Sequence, residues 1–343
     1  MRWPPDSAER GPIRVALVGI GTAATSAHLP ILRDLERASA VSVVGLCDPD
    51  RDRCEAARQQ HPAARVFEGN DEMLAAVEPD LLVIATPPSA HLGEISAAVA
   101  RGVHVLCEKP LGISDADARR LGAIAAEHPH LAVATVLQYR HAEGWRWVAR
   151  AAAGAVRDGE PFTIGVDVER PGTDPLSRGG WRADPEHEGG VLGDHAVHYL
   201  SLLRDLHASC AVVSASRAGP GGGETAEIRV RVAEQGLATI RVSYAAERRR
   251  NRVRLSRPKQ CLEIDWRDGS MSVTHSDVAG ATRTLPSLSD RAAVNALYRP
   301  MYAEVIRQLA HAGWRERATR HTCDVARLLA SSLRLAAEPV AAG

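Results

Sequence analysis

The chain has 343 residues, a length that favours two domains of ordinary size over one large domain. Its 42 basic side chains balance 42 acidic ones, so no bulk charge is available to hold nucleic acid or an anionic membrane surface. No apolar run approaches the roughly 20 residues that span a bilayer, and the opening MRWPPDSAERGP lacks the apolar core of a signal peptide. We therefore expect a cytoplasmic protein. The six cysteines form no C-x-x-C pair, which argues against a disulfide framework and a zinc site.

Residues 13 to 137 alternate short apolar runs with amphipathic stretches. The runs are rich in Val, Ile and Leu without strict polar alternation, as in strands buried on both faces; they are 13–20, 41–48, 81–88, 103–108 and 131–137. Helical patterns lie between them, at 51–60, 71–77, 89–101 and 114–127. This order predicts parallel strand–helix–strand units, and hence an α/β domain with a doubly wound parallel sheet over residues 12–138.

The pattern changes after residue 138. Helical stretches at 142–156 and 189–205 are followed by runs that alternate polar and apolar residues, such as IRVRV and IRVSY. Such alternation suits an antiparallel sheet with one buried and one exposed face. Two further helices are predicted near 298–312 and 320–337. We assign residues 139–340 to a second domain of the α+β class.

A glycine-rich turn follows the first apolar run. The segment is Gly19-Ile20-Gly21-Thr22-Ala23-Ala24, and a helix is predicted directly after it. The first glycine permits a tight turn, the second allows the backbone to approach a pyrophosphate, and the small Ala24 permits close helix–strand packing. A phosphate group would then meet the helix N-terminus. We predict that Gly19, Gly21, Thr22, Ala23 and Ala24 bind a dinucleotide.

The second run ends in Asp48, where a carboxylate can accept hydrogen bonds from the adenosine ribose hydroxyls. A carboxylate at this place repels a 2′-phosphate, which favours NAD over NADP. The nearby Arg51 and Arg53 weaken that preference. The alternative is that Asp48 only caps the following helix.

Two more turns are predicted at the edge where open α/β sheets bind ligands. Thr86, Pro87 and His91 follow the run that begins at residue 81, and Glu108 and Lys109 follow the run that begins at residue 103. We expect all five to contact the cofactor.

Lys109 is also a candidate for acid–base chemistry. Only two of the 42 basic residues are lysine, Lys109 and Lys259, and arginine cannot give up its proton in a protein. Lys259 lies beside Arg257 in a polar stretch, so we interpret it as a solvated side chain. Lys109 is predicted at a ligand-binding edge, where an amine can be required.

These residues resemble a known family, the Gfo/Idh/MocA oxidoreductases. Segment 18–32, VGIGTAATSAHLPIL, is similar to the family's nucleotide loop and the H-L-P that follows it. Segment 85–110 is similar to the family's signature that ends in E-K-P. Segment 137–140, LQYR, is similar to the Tyr-Arg at the end of a strand in the family. The resemblance implies an N-terminal Rossmann domain and a C-terminal α+β domain built on a large open, mainly antiparallel sheet. It further implies NAD(P)-dependent hydride transfer on sugars and cyclitols, and homodimers or homotetramers formed through that sheet.

The resemblance also implies a set of residues in the second domain. Asp194 and His198 occupy the family's D-x-x-x-H, and residues four apart share a helix face. A carboxylate beside an imidazole orients it and raises its basicity, so that it can take a hydroxyl proton near neutral pH. His195 is a second candidate, although a structural hydrogen bond would also explain it. A zinc site made of these three residues lacks supporting spacing, so we predict no metal.

Further substrate contacts are implied at Tyr139 and Arg140 and at Trp181 and Arg182 of a W-R-x-D-P loop. Trp181 can stack on a sugar ring or can instead anchor the loop in the core. The chain departs from the family's usual pattern at three positions, which are Glu188, His195 and Ser201.

The sequence thus predicts an NAD-dependent dehydrogenase or ketoreductase acting on a sugar, cyclitol or related polyol. The predicted catalytic residues are Lys109, Asp194 and His198, and either Lys109 or His198 can be the base. One alternative is a redox-neutral enzyme with tightly held NAD that transhydrogenates, epimerises or cleaves glycosides. Another is a non-catalytic regulator that binds a dinucleotide.

Overall fold

The computed structural model describes most of the chain. The described residues are 11–172, 190–219, 224–258, 260–267, 270–277, 282–289 and 296–337. The chain divides into two compact units. The first comprises Met1–Gly112, Arg119–Val136 and Asn295–Cys323, and the second comprises Ile113–Ala118, Leu137–Val294 and Asp324–Gly343.

The α-helices of the described residues lie close to the predicted stretches. In chain order they are α1 (Leu29–Arg37), α2 (Arg51–Arg58), α3 (Asn70–Val77), α4 (Pro88–Val99), α5 (Asp115–Glu127), α6 (Glu143–Asp158), α7 (Val197–Leu206), α8 (Tyr298–Gln308) and α9 (Ala312–Ala337). Two π-helical segments, Ala24–His28 and Leu192–Ala196, lie directly before α1 and α7. A 3₁₀ turn, Gln138–His141, precedes α6. Within the described ranges no helix combines the length and the apolarity needed to cross a membrane.

The first unit is built on a six-stranded sheet. Its strands are β1 (Ile13–Val18), β2 (Val41–Cys47), β3 (Arg65–Phe67), β4 (Leu81–Ile84), β5 (His104–Cys107) and β6 (Val133–Thr135). Their order is β3-β2-β1-β4-β5-β6, and each neighbouring pair is parallel. This confirms the predicted doubly wound sheet, and it places the switch in strand order, where such sheets bind ligands, between β1 and β4.

Apolar side chains from the strands and the flanking helices form the core of the first unit. Leu17 of β1, Leu32 and Leu35 of α1 and Tyr302 of α8 are fully buried in one cluster. Each fully buried leucine contributes roughly 2 kcal/mol relative to an exposed one. The core therefore fixes the strand ends from which the candidate ligand-binding turns project.

The second unit contains an eight-stranded sheet. Its strands are β7 (Phe162–Pro171), β8 (Cys210–Ala218), β9 (Thr225–Val232), β10 (Gly236–Ala246), β11 (Arg250–Arg257), β12 (Gln260–Arg267), β13 (Ser270–Asp277) and β14 (Thr282–Ser289). The order is β14-β13-β12-β11-β7-β10-β9-β8. Strands β7 and β10 pair in parallel, and the other pairings of the described strands are antiparallel. The predicted α+β class with a large, mainly antiparallel sheet is confirmed.

One face of this second sheet is apolar and packs against helices. Phe162, Ile164, Val166 and Val168 alternate along β7 and are buried in a cluster that also contains α6 and α7 side chains. The alternation follows from the two-residue period of a strand. The position that continues this buried series is Arg170, a charged residue.

Candidate functional site

The glycine turn after β1 has the geometry that a bound pyrophosphate requires. Gly19 has φ +87°, and a Cβ placed there would lie 2.6 Å from backbone atoms of Ala85 and Thr86. Only glycine fits a left-handed conformation with the neighbouring chain this close. Beside Gly21 a Cβ would meet nothing within 4 Å, which leaves open space at the turn. Ala24 is fully buried, as expected for the small third position.

Asp48 lies at the end of β2 and is tied to the glycine turn. Its Oδ2 accepts a hydrogen bond from the backbone N–H of Ile20 at 2.7 Å, and its Oδ1 accepts one from the N–H of Asp50 at 2.9 Å. Each carboxylate oxygen has a second lone pair that can accept a hydroxyl hydrogen. The neighbouring arginines face acidic partners: Arg53 lies 3.0 Å from Asp50, and Arg51 lies 3.7 Å from Glu68.

These features fit a dinucleotide. The turn supplies a close backbone approach at Gly19 and open space at Gly21, and the helix that begins at Thr22 supplies N-terminal N–H groups through Thr22 and Ala23. Asp48 supplies a carboxylate for ribose hydroxyls. These are the residues that would hold the cofactor in the first unit.

The turn after β4 is fixed by buried polar contacts. His91 is fully buried, and its Nδ1 and Nε2 lie 3.0 Å from the Pro110 carbonyl oxygen and 2.9 Å from the Thr86 carbonyl oxygen. His91 therefore bridges the turn that contains Thr86 and Pro87 and the turn that contains Pro110. Burial lowers the pKa of His91, while hydrogen bonding to the two carbonyls raises it.

Glu94 of α4 is a half-buried carboxyl group at this turn, and the sequence interpretation did not include it. The Thr86 hydroxyl donates to its Oε2 at 2.6 Å. Burial raises the pKa of Glu94 to about 7, although the Thr86 bond lowers it. Glu94 thus holds its proton more tightly than an ordinary carboxyl group.

Glu108, the first residue of the E-K-P turn, lies in a buried polar network. Its Oε1 is 3.0 Å from His28 Nε2 and accepts a hydrogen bond from the Tyr298 hydroxyl at 3.0 Å. His28 Nδ1 lies 2.7 Å from the Tyr302 hydroxyl, and both residues are fully buried. Burial would raise the pKa of Glu108, but the His28 hydrogen bond and charge, the Lys109 ammonium and the Tyr298 hydroxyl lower it to about 2.

Lys109 follows this anchored carboxylate directly. It is half-buried at the carboxyl end of β5, and its backbone N–H lies 3.2 Å from Glu108 Oε2. The network therefore holds the backbone from which the ammonium extends. The aromatic partners Tyr298 and Tyr302 come from α8, nearly 200 residues away in the chain, so motif spacing alone could not reveal them.

In the second unit, Asp194 contacts Tyr244 and His195. The Tyr244 hydroxyl donates to Asp194 Oδ2 at 3.0 Å, and His195 Nε2 lies 3.4 Å from the same oxygen. The His195 and Tyr244 rings meet edge to face, with centroids 5.8 Å apart. The structure thus brings two predicted residues together with a tyrosine that the sequence interpretation missed.

His198 lies against Tyr139. The two rings stack with centroids 4.4 Å apart, and His198 is only 4% exposed. The ring centroids of Tyr139 and Trp266 lie 5.9 Å apart. The next residue, Arg140, donates from Nε and Nη2 to both carboxylate oxygens of Asp205. His198 and Tyr139 therefore belong to one aromatic cluster, while the Arg140 charge is paired.

Tyr244 and Arg170 are polar residues that sequence reasoning missed, yet the alternation contained a signal for both. Each follows a buried series of every second residue: Val242 precedes Tyr244 on β10, and Val168 precedes Arg170 on β7. A polar residue in such a position is buried against the helices. Polar side chains that interrupt a core face at the strand ends mark a candidate site.

Not every residue singled out from the sequence lies in the described part of the chain. Trp181, Arg182 and Glu188 lie outside the described residues. The unusual Ser201 is fully buried on α7. Within the part of the chain that is described, no group of three or more His, Cys, Asp or Glu side chains is placed to hold a metal ion.

Comparison with known proteins places these features in a family. The profile of an oxidoreductase family with an NAD-binding Rossmann fold, GFO/IDH/MocA, matches residues 13–135. The profile of the GFO/IDH/MocA C-terminal domain matches residues 148–271. The two matches cover most of both units.

Named relatives include sugar and cyclitol dehydrogenases. A D-apiose dehydrogenase of Paraburkholderia graminis is 27% identical over 76% of this chain and 67% of its own length. An inositol 2-dehydrogenase of Saccharopolyspora erythraea is 37% identical over 29% of this chain and 28% of its own length. The solved structure of a 3-ketoreductase of Actinomadura kijaniata in complex with NADP has a TM-score of 0.72 and 18% identity, covers 94% of this chain and 97% of its own, and shares the fold.

Proposed function

The chain belongs to the GFO/IDH/MocA oxidoreductase family, and from that premise we propose that it is an NAD-dependent dehydrogenase or ketoreductase. Its proposed substrate is a sugar, a cyclitol or a related polyol, which either gives a hydride to the cofactor or receives one from it. The names of the relatives support this substrate class. The proposed catalytic residues are Lys109, Asp194 and His198.

One observation carries the proposal. Lys109 follows β5 at the same edge of the parallel sheet as the Gly19 turn after β1 and Asp48 after β2. The preceding residue, Glu108, is held by His28 and Tyr298, so the backbone of Lys109 has a defined position. An amine whose backbone is held at the ligand-binding edge of a dinucleotide fold is suited to act on a substrate oxygen.

The chemistry follows from these side chains. Bound NAD supplies the hydride acceptor, and NADH the donor. The base can be assigned in two ways. With His198 as the base, its neutral imidazole takes the hydroxyl proton during oxidation and returns it during reduction, while the Lys109 ammonium donates a hydrogen bond to the substrate oxygen as negative charge develops there. With Lys109 as the base, its neutral amine takes the hydroxyl proton during oxidation, and the resulting ammonium returns it during reduction. Asp194 accepts a hydrogen bond from the Tyr244 hydroxyl and lies 3.4 Å from His195 Nε2.

We further propose NAD as the preferred cofactor. Two observations support this preference. The Asp48 carboxylate is bound to the glycine turn, where it would repel a 2′-phosphate, and Arg51 and Arg53 both have acidic partners nearby. These ion pairs reduce the positive charge available to a 2′-phosphate. The homodimer or homotetramer formed through the second sheet stays a prediction. Sedimentation equilibrium would measure the number of subunits.

The proposed function is tested by supplying the purified protein with NAD⁺ and a panel of sugars, cyclitols, sugar acids, sugar phosphates and nucleotide sugars. We expect at least one member to produce free NADH, seen as reduced-nicotinamide absorbance that grows with time. Substrate turnover without release of NADH would instead identify a redox-neutral enzyme. Dinucleotide binding with no turnover of any member would contradict an enzymatic role.

A further inference from the structure

Arg170 is a buried cation on the helix-covered face of the second sheet. It continues the buried series Ile164, Val166 and Val168 near the end of β7 and is only 7% exposed. Burying a guanidinium away from water is costly unless its charge is paired. The partners of Arg170 therefore decide whether the position is explained by the fold alone.

Within the described part of the chain, the hydrogen-bond partners of Arg170 are all neutral oxygens, and all of them accept from one nitrogen. Nη1 donates to the Glu169 carbonyl at 2.7 Å, the Arg250 carbonyl at 3.3 Å and Asn251 Oδ1 at 2.8 Å. Among the described residues no carboxylate forms an ion pair with Arg170. Within the same residues no group accepts a hydrogen bond from its Nε or Nη2. That remaining edge is the fork with which a guanidinium binds a carboxylate or a phosphate through two hydrogen bonds.

Several other arginines of the same sheet form ion pairs, so acidic partners are not scarce. On neighbouring strands Arg250 binds Asp265 at 2.8 Å, Arg252 binds Asp167 at 2.8 Å, and Arg241 binds Glu227 at 2.8 Å. The buried guanidinium of Arg170 thus differs from the more exposed ones.

Arg170 also lies beside the aromatic cluster of the candidate site. Its partner Asn251 is opposite Trp266 in the β11–β12 register, and Trp266 lies 5.9 Å from Tyr139, which stacks on His198. Burial raises the pKa of Tyr199 on α7, and the nearby charge of Arg170 opposes that rise. A cation is therefore set next to aromatic faces of the kind that pack against sugar rings.

We propose that Arg170 is an anion-binding residue and that the substrate carries an anionic group, either a carboxylate or a phosphate. The guanidinium holds that group while Tyr139 and Trp266 contact the carbon skeleton. This inference names the class of substrate for the proposed function and rests on it. Asn251 keeps Nη1 in place and so orients the Nε–Nη2 edge of the guanidinium.

The test is calorimetric titration in the presence of NADH with matched ligands. Each hexose is compared with its uronate, which tests a carboxylate, and with its 6-phosphate, which tests a phosphate. We expect at least one anionic ligand to bind about tenfold or more tightly than its neutral parent, as a charge-assisted hydrogen bond typically provides. Arg170→Gln should reduce that preference to within about twofold.

Two further variants keep the test decisive. Arg170→Lys retains the charge without the fork, so a part of the preference should remain even if Arg170→Gln does not fold. Arg241→Gln removes an exposed, paired arginine of the same sheet and should leave the preference unchanged. Equal binding of neutral and anionic ligands by the wild type, or a preference that survives Arg170→Gln, would overturn the inference.

The result is separable from that of the proposed function. Turnover of neutral polyols with no preference for anions would overturn the role of Arg170 and leave the dehydrogenase proposal standing. Anion binding that depends on Arg170, without hydride transfer to or from any ligand, would support the site and contradict the dehydrogenase.

Discussion

Asp48 and Asp50, two positions apart, have different tasks at the end of β2. Asp50 caps α2 by accepting a hydrogen bond from the N–H of Arg53, whereas Asp48 binds the N–H of Ile20 in the glycine turn. The alternative that Asp48 only caps the following helix is therefore wrong. A carboxylate fixed against the glycine turn is placed as the NAD proposal requires.

The cofactor preference can be tested by changing these two residues separately. Asp48→Ala removes the carboxylate proposed to bind the ribose hydroxyls and repel a 2′-phosphate. We expect wild-type protein to bind NADH more tightly than NADPH, and Asp48→Ala to lose at least about tenfold of that preference, as loss of a hydrogen bond to a charged group implies. Fluorescence titration with both cofactors measures the ratio.

Asp50→Ala is the comparison variant. Loss of the helix cap should lower stability by about 1 kcal/mol. Because Arg53 loses its acidic partner in this variant, the NADH-to-NADPH ratio should shift towards NADPH, but by less than in Asp48→Ala. Tighter binding of NADPH than NADH by the wild type would refute the role given to Asp48.

At the residue scale, sequence reasoning identified groups whose local motif carries the information and missed those brought together by tertiary packing. Gly19 follows from the turn that connects a strand and a helix, and Lys109 from the scarcity of lysine and its place after a strand. Tyr298 depends on a contact with Glu108, 190 positions earlier in the chain, which no local pattern encodes. Arg170 could have been found from strand alternation.

Among the elements, long amphipathic helices and apolar strands were predictable, and short or interrupted strands were not. β3 spans only three residues, Arg65–Phe67, too few to show a period. β14 contains Pro286 and lies at the edge of its sheet, which is where a strand tolerates proline. The helix predicted from residue 320 begins at Ala312, because no proline interrupts the stretch between.

The glycine turn allows a test at the scale of one element. Gly19 and Gly102 both have positive φ, +87° and +76°, but an added Cβ would meet backbone atoms at 2.6 Å only at Gly19 and nothing within 4 Å at Gly102. Gly102→Ala should cost roughly 1–2 kcal/mol of stability from backbone strain alone. Gly19→Ala should cost more, and it should also abolish NADH binding.

Urea denaturation and NADH titration of both variants measure these effects. The comparison separates the strain of a positive φ, which both positions share, from the close approach of the β4 turn. If the two variants prove equally stable and bind NADH equally well, the structural role of the Gly19 turn is wrong.

For the whole molecule, two glutamates of the first unit, the half-buried Glu94 and the buried Glu108, should give stability opposite dependences on pH. The folded pKa of Glu94 is raised from 4.5 to about 7, so the folded protein binds a proton that the unfolded chain releases between these values. Stability from Glu94 is therefore present below pH 4.5 and is lost as pH rises towards 7. The pKa of Glu108 is lowered from 4.5 to about 2, so its stabilisation is lost as pH falls through that range.

Glu94→Gln should remove the first effect, because glutamine does not titrate and can still accept the Thr86 hydrogen bond. Relative to the wild type, the unfolding free energy of the variant should rise by about 2–3 kcal/mol between pH 4.5 and pH 7, as the raised pKa of Glu94 implies. Urea unfolding at a series of pH values measures the difference. Parallel pH curves for the two proteins would show that Glu94 does not hold its proton in the fold.

The proposed chemistry depends on a single amine among many arginines. Turnover of the best substrate from the panel, measured for wild type, Lys109→Ala and Lys259→Ala under saturating NAD⁺, tests that dependence directly. We predict that Lys109→Ala lowers kcat at least about a hundredfold, the usual minimum for a general acid–base group, while Lys259→Ala does not change it. Near wild-type turnover by a folded, NADH-binding Lys109→Ala protein would contradict the account.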